Sequence, residues 1–406
     1  MRIKEFRALR PSPEIVERVA SVPYDTVNTE EAKELAKGNT ASFLHIVRPD
    51  IDLPADIDSH DDVVYEKAAE NFRSFIDNGT LSFEAEPSVY VYQQKMGNHI
   101  QAGVVACCHI DDYANNLILK HEKTRQDKED DRTRHVLTLN ANTGPVFLTY
   151  KEDQAIDEIV NAVRRQKPLF DLTAEDGVSH TVWRLSEEKS LIRAFANIPV
   201  TYIADGHHRS AAAARAGAEK RNNNPNHNGS EEYNWFLSVL FPANQLKILP
   251  YNRSIHDLNG MTETEFFEAV QKRFTVKTDV LPEPAGSRRV SMYLGGKWYG
   301  LSWNEVLDAD PVSALDVSYL QDNLLSPLLN IDDPRTSDRI DFIGGIRGID
   351  ALANIVDSGK GAVAFSMYPV NVNQMIAIAD ADCIMPPKST WFEPKLRSGL
   401  LVHVLD

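Results

Sequence analysis

The stretch TYIADGHHRSAAAARAG, Thr201 to Gly217, constrains this chain more than any other. Val200 to Ile203 are β-branched or aromatic, whereas Ala211 to Ala214 favour helix, so a strand must run into a helix within a few residues. Asp205-Gly206 falls at the junction, where glycine permits unusual dihedrals or a close backbone approach. The first helical turn leaves backbone N–H groups unpaired and carries partial positive charge, which suits an anion. His207, His208 and Arg209 crowd the same end. Cations there oppose the helix dipole unless something negative, such as a phosphate, offsets them. The plainer alternative is an Asp205 N-cap with loop histidines and a solvated arginine.

The rest of the composition narrows the partners. The chain has 406 residues and a formal net charge of −16, which repels nucleic acid unless basic residues cluster. Three cysteines, Cys107 and Cys108 adjacent and Cys383 remote, form neither a disulfide framework nor a CxxC metal pattern, and a reducing, cytoplasmic setting is expected. The N-terminal stretch MRIKEFRALRPSPEIV lacks the apolar core of a signal peptide, and no run is long enough to span a bilayer.

Along the chain, Asn28 and Glu31 predict a capping box for a helix over Thr29 to Lys37. SFLHIVRPD reads as a strand, VVYEKAAENFRSFIDNG as a helix, and SVYVYQQKMGNHIQAGVVACCHI as two strands around Gly97-Asn98. Shorter alternating elements follow Asn252. Strands and helices mix without a regular βαβα rhythm, which predicts an α+β fold with mixed sheets. Three parts are expected: an N-terminal α/β part at 1–118, a core at 119–250 and a C-terminal α+β part at 251–406.

HEKTRQDKEDDRTRH, His121 to His135, holds five Lys/Arg and five Asp/Glu. Such a run is either a solvated face or a loop that closes on phosphates through Lys123, Arg125 or Arg132, with Glu122 facing the reacting group. Proximity to the DGHHR turn separates the two readings. His207 and His208 are neighbours on a helix and point about 100° apart, which is poor chelation geometry. A magnesium ion wants carboxylate and phosphate oxygens, and Asp205 is the nearest candidate. GG-x-x-G at Gly344 to Gly348 reads as turn chemistry, and no Walker A, HRD, DFG, GxSxG or HExxH motif occurs.

VPYDTV, SFLHIVRPD, HEKT, ADGHHRSAAA and MPPKSTWFEPKL together resemble the domain-of-unknown-function family 1015 over nearly the whole chain. The DGHHR turn is similar to that of the ParB, sulfiredoxin and free-serine kinase superfamily, whose strand–turn–helix cradles nucleotide phosphates. A histidine after Gly206 departs from the GCHR-type turn of sulfiredoxin chemistry, and the acidic balance departs from ParB-type partition proteins. The His-Glu pair upstream of DGHHR resembles free-serine kinases most. That resemblance implies a ParB/sulfiredoxin-like nucleotide-binding core and a kinase using ATP or ADP, with Mg2+, on free L-serine or a similar hydroxyl metabolite. Glu122 and Asp205 are then catalytic, with Asp205 the metal or substrate contact. Gly206, His207, His208, Arg209, Lys123 and Arg125 hold phosphates. His121, Thr124, Arg48, Lys388, Ser389 and Thr390 are secondary candidates, for the last four of which a capped turn or surface cation is the competing reading. The rival class is a nucleotide-binding regulator without turnover. Expected partners are a nucleotide and a small-molecule substrate, with neither membrane nor nucleic acid, and a homo-oligomer is compatible with the chain.

Overall fold

A computed structural model describes residues 1–185, 188–305 and 309–406. The chain divides into two units, Met1–Leu246 with Pro394–Asp406, and Lys247–Glu393. This differs from the three parts expected from sequence, because strands from 1–118 and from 119–250 are hydrogen-bonded into one sheet and the last thirteen residues return to that unit. Strand pairing across hundreds of residues leaves no local mark in the sequence.

In the first unit, α1 (Thr29–Leu35) starts at the expected capping box, with Asn28 and Glu31 each accepting from the other's backbone N–H. SFLHIVRPD is not a strand. It forms α2 (Leu44–Val47) and a 3-10 turn over Pro49–Asp52. Phe43, Leu44, Ile46 and Val47 are all buried in one cluster with Ala68, Phe72 and Phe75 of α3 (Asp62–Asp77). A short apolar run fits either state by periodicity, and here burial against a neighbouring helix decides for helix.

The first unit's main sheet holds nine strands: β1 (Ile3–Lys4), β2 (Tyr90–Met96), β3 (His99–His109), β4 (Ile118–Leu119), β5 (Val146–Tyr150), β6 (Phe170–Thr173), β7 (Ser179–Arg184), β8 (Thr201–Asp205) and β9 (Trp235–Pro242). Their order is β4-β8-β5-β9-β3-β2-β7-β6, with β1 also on β3. The β4/β8 and β5/β9 pairs are parallel and the others antiparallel, so the sheet is mixed as expected. Around it lie α4 (Gln126–Leu139), α5 (Gln154–Val163), α6 (Glu188–Ala196) and α7 (His207–Asn223). Apolar side chains of β3, β5, β9, α5 and α6 share one core.

The second unit is a wholly antiparallel six-stranded sheet with helices. In chain order its strands are β10 (Tyr251–Ile255), β11 (Thr275–Thr278), β12 (Arg289–Leu294), β13 (Lys297–Ser302), β14 (Ile340–Gly344) and β15 (Val363–Met367). They lie in the order β11-β13-β12-β15-β10-β14. The helix α8 (Asp350–Asp357) packs Leu352 against Tyr293, Ile343 and Ala364 of that sheet. No helix among the described residues is long and apolar enough to cross a membrane. The fold class is α+β.

Candidate functional site

The strand–turn–helix forms as its residues dictate. β8 ends at Asp205, Gly206 adopts φ +94°, and α7 begins at His207. A register shift between Ile203 and Asp205 in the β8/β5 pairing bulges the strand, which changes the aim of the next side chain. A Cβ on Gly206 would stand 3.1 Å from the Arg209 guanidinium, and the left-handed φ disfavours any side chain. Glycine is therefore fixed by both backbone and neighbour. No side chain caps α7, so its first N–H groups keep their donor capacity.

The guanidinium that approaches Gly206 belongs to a charge cluster. Arg209 donates to Asp205 Oδ2 at 2.7 Å and to the Pro145 carbonyl, while Lys395 Nζ lies 3.2 Å from Asp205 Oδ1. Burial alone would raise the Asp205 carboxyl, yet Lys395 and Arg209 hold it well below the usual carboxylate range. Burial works against the Arg209 charge, but Asp25 and Asp205 keep its pKa above the ordinary value. Asp205 was expected as the metal contact. Both its oxygens instead face a cation, so a metal would have to displace Lys395 or Arg209.

The charged HEKT segment lies against this turn. The rings of His121 and His207 meet edge to face at 4.5 Å, and His207 Nδ1 is 4.0 Å from Glu122 Oε2. The Arg125 backbone N–H, at the N-cap of α4, donates to His208 Nε2 at 3.1 Å, which requires that nitrogen to be unprotonated. Both His121 and His207 are buried, and burial pulls the His121 pKa down to about 4 and that of His207 well below its ordinary value. For His207 the neighbouring His121 adds to that effect. Neither ring nitrogen of His121, nor Nε2 of His207, has a hydrogen-bond partner among the described residues. The Ile203 carbonyl lies beside His121 without a well-formed bond.

Donor atoms of His121, Glu122 and His207 all lie within 4.8 Å of one another. Sequence reasoning rejected the adjacent pair His207 and His208 as chelators, and the structure pairs His207 with His121 instead. Two imidazoles and a carboxylate suit borderline divalent ions such as Zn2+ or Fe2+ better than Mg2+, which prefers oxygen ligands. The same buried nitrogens could equally meet phosphate or hydroxyl oxygens.

The other sequence candidates separate clearly. Lys123 is exposed, and Arg125 is exposed and paired with Asp127 at 2.8 Å. The Thr124 hydroxyl donates to Glu129 inside α4's first turn. Arg48 is committed elsewhere: it pairs with Asp50 at 2.8 Å, donates to Thr29, and holds the Tyr24 and Val27 carbonyls. Lys388, Ser389 and Thr390 belong to the second unit. From the same tail the structure brings Lys395 to Asp205, and sequence reasoning passed over it. Its only signal was its place in the PKL part of the quoted tail motif.

Among solved structures the chain is similar to SbnI with C-terminal truncation from Staphylococcus aureus, at 10% identity and TM-score 0.40, covering 74% of this chain and 87% of that one. It is similar to free serine kinase in complex with AMP at 13% identity and TM-score 0.36, covering 73% and 92%. A conserved hypothetical protein from Pyrococcus furiosus aligns at 12% identity and TM-score 0.34, covering 73% and 95%. No curated protein matches the chain. The family model described as protein of unknown function (DUF1015) matches residues 3–318, most of the sequence, and the chain belongs to that family.

Proposed function

We propose that the first unit is a small-molecule phosphotransferase that moves a phosphoryl group from ATP or ADP to a hydroxyl, with free L-serine or a similar metabolite as acceptor. The observation that carries this reading is the meeting of the HEKT segment with the DGHHR turn, through the His121–His207 contact at 4.5 Å and the Arg125–His208 bond at 3.1 Å. Uncapped N–H groups of α7 and the side chains of His207, His208 and Arg209 receive the donor phosphates. Lys123 and Arg125, exposed beside them, close over the same charge. Phosphoryl transfer needs little more from a protein than such positioning and charge stabilisation. Mg2+ travels with the donor, bound chiefly through phosphate oxygens.

In this reading Glu122, half-buried and with Oε2 4.0 Å from His207 Nδ1, takes the acceptor's proton. The acceptor oxygen bonds to the terminal phosphorus, the bond from that phosphorus to its bridging oxygen breaks, and the shortened nucleotide leaves with that oxygen's electron pair. Asp205 acts as a positioning residue that fixes Lys395 and Arg209.

Mass spectrometry of a metabolite pool containing L-serine, incubated with the protein, Mg2+ and ATP or ADP, tests the reading. The expected result is one phosphorylated acceptor, formed about 10² to 10⁴ times more slowly by Glu122→Gln while nucleotide affinity stays nearly constant. Equal rates in the variant would remove Glu122 from the chemistry. Intact nucleotide that nevertheless raises the melting temperature would indicate a regulator without turnover.

A further inference from the structure

Where the HEKT segment meets the DGHHR turn, three buried ring nitrogens have no hydrogen-bond partner among the described residues: Nδ1 and Nε2 of His121 and Nε2 of His207. His121 is 2% and His207 7% exposed, so water does not reach either ring freely. Buried polar atoms are nearly always bonded, and three such atoms on two touching rings call for an occupant. Burial also disfavours the imidazolium form of both, so each ring keeps one N–H and one lone pair. An anion would meet only the N–H groups. A cation meets the lone pairs.

Glu122 supplies the negative charge that such an occupant needs. Its Oε2 stands 4.0 Å from His207 Nδ1, too far for a hydrogen bond and close to the span that one ion bridges with bonds of about 2.0 to 2.2 Å. One donor atom from each of His121, Glu122 and His207 falls within 4.8 Å of the other two, and the half-buried Glu122 side chain has room to swing inward. The Gly206 turn fixes His207 at the first position of α7. The Ile203 carbonyl lies beside His121, where it can accept the N–H of the ring nitrogen that faces away from an ion. Asp205 adds negative charge near both rings, against Lys120 near His207.

We propose that His121, Glu122 and His207 form a binding site for one borderline divalent ion, Zn2+ or Fe2+. Two imidazoles and one carboxylate make a three-donor set suited to these ions and leave at least one position open for water or a substrate oxygen. The ion is distinct from the Mg2+ that travels with the nucleotide, which prefers oxygen donors. The site shares Glu122 and His207 with the phosphotransferase reading without resting on it, because the ion binds in the absence of nucleotide. A phosphate oxygen would then reach His207 through the ion's open position, and the second carboxylate oxygen of Glu122 stays available for a proton.

Titration of the metal-free, untagged full chain with Co2+, which stands in for Zn2+ or Fe2+ and absorbs visible light, tests the proposal. One equivalent should give a visible band stronger than that of the aqueous ion, abolished by one equivalent of Zn2+ and untouched by excess Mg2+. Co2+ affinity should fall by about tenfold or more in His121→Ala and in Glu122→Gln. It should stay unchanged in His256→Ala, which removes the ring of the His256–Asp341 pair at 2.7 Å. Glu122 is half-buried, so its variant reports even where the buried-histidine variant does not fold. Absence of the band, equal affinity in Glu122→Gln, or displacement by Mg2+ would overturn the proposal. Phosphoryl transfer without the band removes this site and leaves the transferase standing, whereas the band without transfer does the reverse.

Discussion

At Asp205 the two carboxylate oxygens face two cations from distant parts of the chain, Arg209 at 2.7 Å and Lys395 at 3.2 Å. Removing the shared anion leaves both cations in a nearly closed setting, where the Arg209 side chain is 10% and the Lys395 side chain 18% exposed. Breaking such a pair from one side costs more than deleting both partners. Asp205→Ala should therefore lower unfolding stability by about 3 kcal/mol in urea titration, and Asp205→Ala with Lys395→Met by less than the sum of the single changes, with coupling of about 1 kcal/mol. Strict additivity would take the ion pair out of this account. It also follows that Asp205→Ala is a poor control for catalysis, because it disturbs the site's frame. Asp205→Asn, which keeps the shape and one acceptor oxygen, is the cleaner choice. Sequence showed Asp205, Gly206 and the residues after them as one local motif, but nothing local announced the lysine 190 positions later that completes it.

Helix α7 carries a glycine near its middle, Gly217, where ordinary propensity would favour alanine by about 1 kcal/mol. Here the sign reverses. A Cβ on Gly217 would stand 2.3 Å from the Tyr233 carbonyl oxygen and 2.7 Å from Ile110 Cδ1, closer than real contacts allow. Gly217→Ala should destabilise by about 2 kcal/mol or more, visible as a lower urea midpoint with unchanged slope. A variant as stable as the parent would mean that α7 does not pack this closely. The neighbouring helix α4 shows how context turns a charged run into structure. Its acidic residues meet α7, where Arg215 pairs with Glu129 at 3.3 Å and Asp130 at 2.7 Å, and Asp131 is buried with the Tyr65 hydroxyl at 2.6 Å. Charge patterning alone left this segment as either a solvated face or a site loop. It is a packed helix whose N-terminal approach, His121 to Arg125, lies against the DGHHR turn. The α2 segment was misread for the converse reason, since its apolar run is too short for periodicity to decide.

Across the whole molecule, buried histidines set the response to acid. Burial lowers the pKa to about 4 at His121 and at His135, whose Nε2 donates to the Ile46 carbonyl at 3.1 Å. It lowers that of His180 to about 3, in a network where Tyr92 and Arg397 occupy both ring nitrogens. Below an unfolded pKa of about 6.5 the unfolded chain takes up protons that these sites refuse, so stability falls with pH by roughly 1.4 kcal/mol per unit per histidine until the folded pKa is reached. Asp316, raised to about 6 by burial, and His45, raised chiefly by its hydrogen bond to Asp52, act in the opposite sense but are fewer. The urea midpoint should therefore drop clearly between pH 7 and pH 5, and one that holds or rises would show that water reaches these rings. What the sequence determined by itself was local: the strand, glycine turn and alanine-rich helix around DGHHR, the capping box at Asn28, the paired strands around Gly97, and the α+β character. Each of these follows from dihedral preference, capping and periodicity within a few residues. Tertiary structure alone decided the joining of 1–118 and 119–250 in one sheet, the return of Lys395 to Asp205, and the pairing of His207 with His121. Those depend on contacts between residues tens to hundreds of positions apart, whose energy exists only once the chain has closed around them.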